Sequence, residues 1–300
     1  MDYNWGIDLG GTKIEGVILA DGNHNKIVDR RRIPTESHKG YRDILQNILT
    51  LIDKMKEASG LEPNRIGIGT PGTIDPSLGV MKNCNSTALN GQPLQKDLQE
   101  ALQIDVIMSN DANCFAVAET HFGIVKEYFQ NPKVVFGVIM GTGVGGGLVV
   151  DGKIIGGIHG IGGEWGHNYM DDSGGACYCG KVGCVETVIS GPGTERYYKK
   201  ISGQDRKLKE IVERYRDGSD NSATETMERL LHFFGKGISS LINVIDPEAI
   251  VIGGGVGNID ELYTLGVEEI KKHTFNHTLE TKILKPKLGD SAGVFGAALL

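Results

Sequence analysis

Proline is scarce in this 300-residue sequence, with 9 positions, and no Gly-X-Y period runs through it, which excludes a collagen-like fibre. Basic residues are outnumbered, 31 Lys and Arg against 38 Asp and Glu, for a net charge of -7. Without a basic excess there is little to neutralise a phosphate backbone or an anionic lipid surface, so neither nucleic acid nor membrane is an expected partner. The longest uncharged stretch, residues 134–150, has 17 residues, six of them glycine. It falls short of the ~20 apolar residues of a spanning helix. The opening Met1-Asp2-Tyr3-Asn4-Trp5 has no basic segment followed by an apolar core. No export signal is read there, and a cytoplasmic location is expected.

Glycine is abundant instead, 44 of 300 residues, about twice the usual ~7%. The glycines lie between apolar, β-rich runs, which excludes polar low-complexity disorder. Glycine admits positive φ and close approach of backbone to ligand, so functional loops are expected. Three hundred residues make room for one large or two ordinary domains.

Tyr3 to Leu9, the turn Gly10-Gly11-Thr12 and Lys13 to Ala20 read as a β-hairpin, with a further strand around Lys26 to Ile33. Ile44, Leu45, Ile48, Leu51, Ile52 and Met55 recur at helical spacing and predict an amphipathic helix from Tyr41 to Ser59, stopped by Gly60. A strand Arg65 to Thr70, a helix from about Pro93 to Gln103, a strand Ile104 to Ser109 and a helix from Asp111 continue an alternating α/β pattern. Strand, glycine turn and strand then recur over Lys133 to Met140, Gly141 to Gly145 and Gly146 to Asp151, an internal duplication of pattern. Residues 155–186 are glycine-rich and irregular. Helices Lys207 to Arg216 and Thr224 to Ile245, a strand Ala249 to Ile252, a helix Asp260 to His273, a strand near Ile283 and a small-residue helix from Gly293 complete the chain. No linker divides it, so two closely joined lobes flanking a cleft are expected.

Several clusters carry chemistry. In Asp8-Leu9-Gly10-Gly11-Thr12-Lys13, backbone N–H groups at the glycines can meet a phosphate, Thr12 adds a hydroxyl and Asp8 can hold Mg²⁺ directly or through water. A strand follows, so this is not the strand-to-helix phosphate loop; an ordinary hairpin turn also accounts for it. Gly141-Thr142-Gly143-Val144-Gly145 repeats the arrangement. Gly253-Gly254-Gly255 suits an adenosine-contacting turn or a plain break after a strand. In Asn110-Asp111-Ala112-Asn113 a carboxylate can accept a proton from a substrate hydroxyl, while a helix N-cap is the structural alternative. Cys177, Cys179 and Cys184, with His167 upstream, offer three thiolates and one imidazole, the donor set of a closed structural zinc site; the alternative is three buried free thiols. Glu164 and Glu186 bracket the cluster; carboxylates so placed can accept hydrogen bonds from sugar hydroxyls, and ordinary surface glutamates are the alternative.

Together these motifs resemble the ROK (repressor, open reading frame, kinase) family, in the family's order and from Gly6 to the C-terminus. Gly163-Glu164-Trp165-Gly166-His167 and Cys177-Tyr178-Cys179-Gly180-Lys181-Val182-Gly183-Cys184-Val185-Glu186 are its most specific elements. The resemblance implies an ATP-dependent sugar kinase with a two-lobed, actin-like α/β ATPase fold and a cleft between lobes. Residues 1–112 with 293–300 would form the small lobe and 113–292 the large lobe with the zinc loop. It implies Asp111 as general base, Asp8 as the partner of Mg²⁺, and Gly10, Gly11, Thr12, Lys13, Gly141, Thr142 and Gly143 on the ATP phosphates. Gly254 and Gly255 would face adenosine. Asn85, Asn110, Asp111, Glu164, His167 and Glu186 would contact sugar, with His167, Cys177, Cys179 and Cys184 on a structural Zn²⁺. A homodimer is implied as well.

Lys82-Asn83-Cys84-Asn85-Ser86-Thr87-Ala88-Leu89-Asn90-Gly91-Gln92-Pro93 is most similar to bacterial fructokinases that also accept mannose, which makes O6 of fructose or mannose the leading acceptor. Those enzymes carry Trp where Ala88 stands. A small residue there is more like the family's N-acetylglucosamine kinases, the alternative. A sugar-responsive repressor is the reading from another class. Such members place a helix-turn-helix before the first phosphate hairpin, and seven residues precede Asp8 here.

Overall fold

The computed structural model describes residues 3–20 and 26–300; Met1 and Asp2, part of the segment read for an export signal, lie outside the described residues. The chain opens with three antiparallel strands, β1 (Tyr3–Leu9), β2 (Lys13–Ala20) and β3 (Ile27–Pro34), followed by helix α1 (Tyr41–Ser59). Helix α1 buries Ile44, Ile48, Leu51, Ile52 and Met55 along one stripe and ends at Gly60 in the left-handed region (φ 67°). That stripe shares a core with Trp5, Ile7 and Leu9 of β1 and with Ile66 and Ile68 of β4 (Arg65–Thr70). Burying an aliphatic side chain of this size contributes about 1.5–3 kcal/mol, so α1 is held chiefly by its packed face.

The strands β5 (Thr73–Ile74) and β6 (Met81–Lys82) form a small separate ribbon. Helix α2 (Leu94–Leu102), strand β7 (Asp105–Asn110), helix α3 (Asp111–His121) and the short α4 (Val125–Tyr128) follow. The first sheet runs β3-β2-β1-β4-β7, with β1, β4 and β7 parallel. Next come β8 (Val134–Met140), β9 (Val144–Val150), β10 (Lys153–Ile154), α5 (Val185–Ile189), α6 (Gly191–Ser202), α7 (Leu208–Asp217), α8 (Asn221–Ile245), β11 (Ala249–Gly253), α9 (Leu265–His273), β12 (Lys282–Leu284) and α10 (Ala292–Ala297). The second sheet runs β10-β9-β8-β11-β12. Its β8, β11 and β12 are parallel. The order 3-2-1-4-5 thus occurs twice, so the duplication legible in the glycine hairpins extends to whole sheets.

Two compact units result. The first comprises residues 1–130, 147–162 and 287–300, and the second residues 131–146 and 163–286. Within the first unit, α10 lies so near its neighbours that a Cβ at Gly67 would stand 1.8 Å from the Ala297 carbonyl oxygen, and one at Gly296 1.8 Å from that of Cys114. The small residues of α10 therefore let it seat directly on β4 and α3, beneath the end of β1 where Asp8 sits. Among the described residues, no helix is long and apolar enough to cross a membrane.

Candidate active site

In the first unit, the β1–β2 turn is pinned through its carbonyl groups. The Gly10 N–H donates to the Lys13 carbonyl at 3.0 Å, and the Thr35 N–H to that of Thr12 at 3.0 Å. The Thr35 hydroxyl donates to the Gly10 carbonyl at 2.6 Å and the Ser37 hydroxyl to the Gly11 carbonyl at 3.0 Å. With the loop carbonyls and the Gly10 N–H committed to these partners, the amides of Gly11 and Thr12 are the ones an anion would meet. Lys13 stands beside Glu15, 4.0 Å between Nζ and Oε2, and the fully buried Glu15 is bracketed by Arg30 and Arg32 at 2.5 and 2.8 Å. Lys13 and Thr12 themselves remain accessible at the turn.

Asp8 lies at the end of β1, opposite Glu15 in the β1–β2 register and beside Gly69 of β4. A Cβ at Gly293 would come within 3.0 Å of its Oδ2, so α10 closes over the carboxylate with bare backbone. Burial, then the charges of Asp111 and Glu15, push the Asp8 carboxyl up to about 6. Two acidic side chains sharing a confined space are a hard-oxygen donor set that a divalent cation would relieve.

Asp111 occupies the first turn of α3, directly after β7. The Asn110 side chain caps that helix, accepting the Asn113 N–H at 2.8 Å, while Asp111 Oδ1 accepts the Ala112 N–H at 2.8 Å. The cap that the sequence offered as a structural alternative is therefore formed by Asn110, and it is what fixes Asp111 in place. Thr70, invisible to motif reading, helps. Its buried hydroxyl reaches the Gly72 carbonyl at 2.9 Å and the Ser109 carbonyl at 3.2 Å, tying the ends of β4 and β7. Asn85 is exposed in a loop whose shape is set by Asn90, which accepts the Cys84 N–H at 2.9 Å and donates to the Cys84 carbonyl at 3.2 Å.

The second unit gathers the remaining residues. The hairpin turn closes through the Gly141 N–H to the Gly143 carbonyl at 2.9 Å, and the N-terminus of α6 adjoins it, Gly191 N–H donating to the Gly141 carbonyl at 2.9 Å. At the end of β11, Gly254 has φ 82°, and a Cβ there would stand 2.3 Å from the Met140 carbonyl oxygen, so only glycine fits. The unit thus brings Gly254 and Gly255 beside the Gly141–Gly143 turn. The Gly191 segment was missed from sequence; its signal was Ser190, which caps α6, followed by Pro192 in the first turn.

Glu164 and His167 flank Trp165 and Gly166, which fix them: Trp165 is buried, and a Cβ at Gly166 would stand 1.8 Å from the Val144 carbonyl oxygen. Burial raises the Glu164 carboxyl above its ordinary value, and the Glu186 charge adds to this against the opposing pull of His167. Glu186, on α5, accepts the Val144 N–H at 3.0 Å. It therefore braces the glycine hairpin as well as standing near Glu164.

His167, Cys177, Cys179 and Cys184 converge, their ligand atoms all within 4.8 Å of one another. His167 Nδ1 lies 3.6 Å from Cys177 Sγ, and the sulfurs of Cys179 and Cys184 are 3.6 Å apart. Thiolates on a tetrahedral zinc with bonds of about 2.3 Å stand about 3.8 Å apart, so the donor set fits that ion. The other imidazole nitrogen, Nε2, lies 2.9 Å from the Tyr178 hydroxyl. Burial and the carboxylates of Glu186 and Glu164 push that phenol up to about 12.

The model of the ROK family matches residues 4–300. The chain belongs to the ROK family. It is 36% identical to the N-acetyl-D-glucosamine kinase of Pectobacterium atrosepticum over 307 residues, covering 99% of this chain and 98% of that protein. Among solved structures, the ROK hexokinase from Thermus thermophilus is 28% identical with a TM-score of 0.88, over 99% of this chain and 97% of that one. A ROK family glucokinase from Streptomyces griseus, solved with glucose and AMPPNP, is 26% identical with a TM-score of 0.77, over 99% and 98% of the two chains. This chain has the actin-like α/β ATPase fold of those ROK sugar kinases.

Proposed function

We propose that this ROK protein is an ATP-dependent hexose kinase whose acceptor is N-acetylglucosamine. Of the acceptors weighed from the sequence, fructose and mannose led on the strength of residues 82–93. The similarity to an N-acetyl-D-glucosamine kinase across 99% of the chain carries the other choice, and the small Ala88 agrees with it. Fructokinase-like specificity has no comparable support.

The chemistry follows from the residues. The Asp111 carboxylate, held at the head of α3, takes the proton of the sugar 6-hydroxyl as that oxygen bonds to the γ-phosphorus of ATP. The bond from that phosphorus to the bridging oxygen breaks, and ADP leaves with the electron pair. By the family resemblance, Gly10, Gly11, Thr12 and Lys13, and likewise Gly141, Thr142 and Gly143, would meet phosphate oxygens through backbone amides and side chains. Gly254 and Gly255 take adenosine. Asp8 would hold Mg²⁺, directly or through water, and that ion would offset the charge of the phosphates. Asn85, Asn110, Glu164, His167 and Glu186 orient the sugar. His167, Cys177, Cys179 and Cys184 would hold a structural Zn²⁺, and such an ion would stiffen the loop rather than take part in the chemistry. With that ion bound at Nδ1, the His167 Nε2 would be left to hydrogen-bond the Tyr178 hydroxyl, 2.9 Å away, or a sugar hydroxyl.

The test is ADP release with ATP·Mg²⁺ over N-acetylglucosamine, N-acetylmannosamine, glucose, mannose and fructose. The highest kcat/KM is expected for N-acetylglucosamine. A higher value for fructose or mannose overturns the acceptor, and no turnover on any of the five overturns the kinase reading.

A further inference from the structure

Outside these clusters, one group of side chains has no place in phosphoryl transfer. Helix α8 supplies His232, and α9 supplies Glu269 and His273. Their candidate ligand atoms all lie within 4.8 Å of one another. We propose that His232, Glu269 and His273 form a metal site bridging α8 and α9, taking a divalent transition ion of the Zn²⁺ and Ni²⁺ class.

The helices are built to bring these residues together. Glu269 and His273 are four residues apart and share a face of α9. That face sits unusually near α8 because Gly235 follows His232 by three residues, and a Cβ at Gly235 would stand 2.4 Å from Glu269 Cβ. Gly266 makes a second close approach, where a Cβ would lie 3.0 Å from the Phe234 ring. Any larger side chain at these positions would separate the helices and the donors with them. His232 Nδ1 already lies 3.7 Å from Glu269 Oε2. The His232 and His273 ring centroids are 5.4 Å apart at 75°, and Phe233 meets the His232 ring edge-on at 5.1 Å. Donors on a tetrahedral zinc with bonds of about 2.0–2.1 Å stand about 3.3 Å apart, so small rotations of the exposed His232 and His273 side chains toward the half-buried Glu269 complete the geometry.

Two imidazoles and one carboxylate select borderline transition ions over Mg²⁺ and Ca²⁺, which take oxygen donors. Three protein ligands leave a position for water, unlike the closed cysteine set. Lys272 pairs with Glu269 and is the group the ion must displace. It is exposed, and an exposed pair of that kind adds little. Lys236, one turn after His232 on α8, is directed to the Phe233 ring. The ion would clip the long α8 to α9 on a surface reachable from solvent.

The test is Ni²⁺ binding to the full chain at pH 7.5, by titration calorimetry and absorption, with bound zinc measured beforehand. Wild type should take one equivalent of Ni²⁺ with a weak d–d spectrum, and binding should release protons and weaken in more acidic buffer, because protons compete for the donor atoms. His232→Asn and His273→Asn should each weaken binding at least tenfold, and Glu269→Gln several-fold, with unchanged circular dichroism. Equal affinity in the His232→Asn/His273→Asn double variant overturns the proposal. A thiolate-to-nickel charge-transfer band does so too, because it assigns the ion to cysteine.

Discussion

Replacing Asp8 by Asn should stabilise the ligand-free protein while abolishing its activity. The carboxyl is raised from 3.8 to about 6 by burial, by Asp111 and by Glu15. Above that value it is ionised in both folded and unfolded chains, and a shift of about two units corresponds to about 3 kcal/mol of native-state cost. Asp8 is only partly buried, and solvent screening reduces the expected effect to about 1–2 kcal/mol. The sign follows from the raised value. The native state binds its proton more tightly than the unfolded chain, so the protonated group's contribution is present in full below about pH 4 and lost as pH rises through about 6. A neutral amide of the same shape escapes that loss. In Mg²⁺-free and nucleotide-free buffer, Asp8→Asn should melt higher than wild type at pH 8, by roughly 2–4 °C, and the gain should shrink towards zero near pH 4. Two units can melt separately, so the transition that moves must be the one belonging to the first unit. A variant no more stable than wild type at pH 8, or a gain that does not change with pH, would refute the electrostatic reasoning.

Metal analysis of the purified protein should give about one zinc per chain, and Cys179→Ser should lose most of it; wild-type zinc content in that variant counts against the four-ligand site. Gly166→Ala must drive a methyl group into the Val144 carbonyl, 1.8 Å away, and should cost about 3 kcal/mol or more in a melting experiment; a shift under about 1 kcal/mol would show that the segment can yield. Tyr178→Phe removes the hydroxyl lying beside His167 Nε2. Its zinc content and sugar KM should stay within about twofold of wild type, whereas a tenfold rise in KM would make Tyr178 itself a sugar ligand.

Local signals carried much of the fold. Helix α1 and strand β4 fall where apolar spacing puts them, because each is held by its own buried stripe. Helix α6 was hidden behind Gly191-Pro192-Gly193, a run that resembles a loop until Ser190 is recognised as its cap. The helix expected over Asp260 to His273 is instead a 3₁₀ turn, Asp260–Tyr263, and α9, broken at Thr264 (φ -119°, ψ -83°). Helix α8 starts at Asn221 because Asp220 caps it, three residues before the apolar pattern suggested. At the candidate site, motif residues were legible because each offers its own chemistry. The contacts that hold them were not: Thr35 and Ser37 reach the Gly10–Gly11 turn from 25 and 26 residues away, and Glu186, itself a motif residue, also braces Val144 across 42. Such contacts are made by the tertiary fold and leave no local trace.

The decisive measurement compares wild type with Asp111→Ala, with ATP·Mg²⁺ and N-acetylglucosamine, reading ADP release alongside sugar binding by calorimetry. Wild type should turn over the sugar, and the variant should bind it with similar affinity while kcat falls by about 10²–10⁴. Undiminished turnover in Asp111→Ala would contradict the assignment of Asp111 as the base.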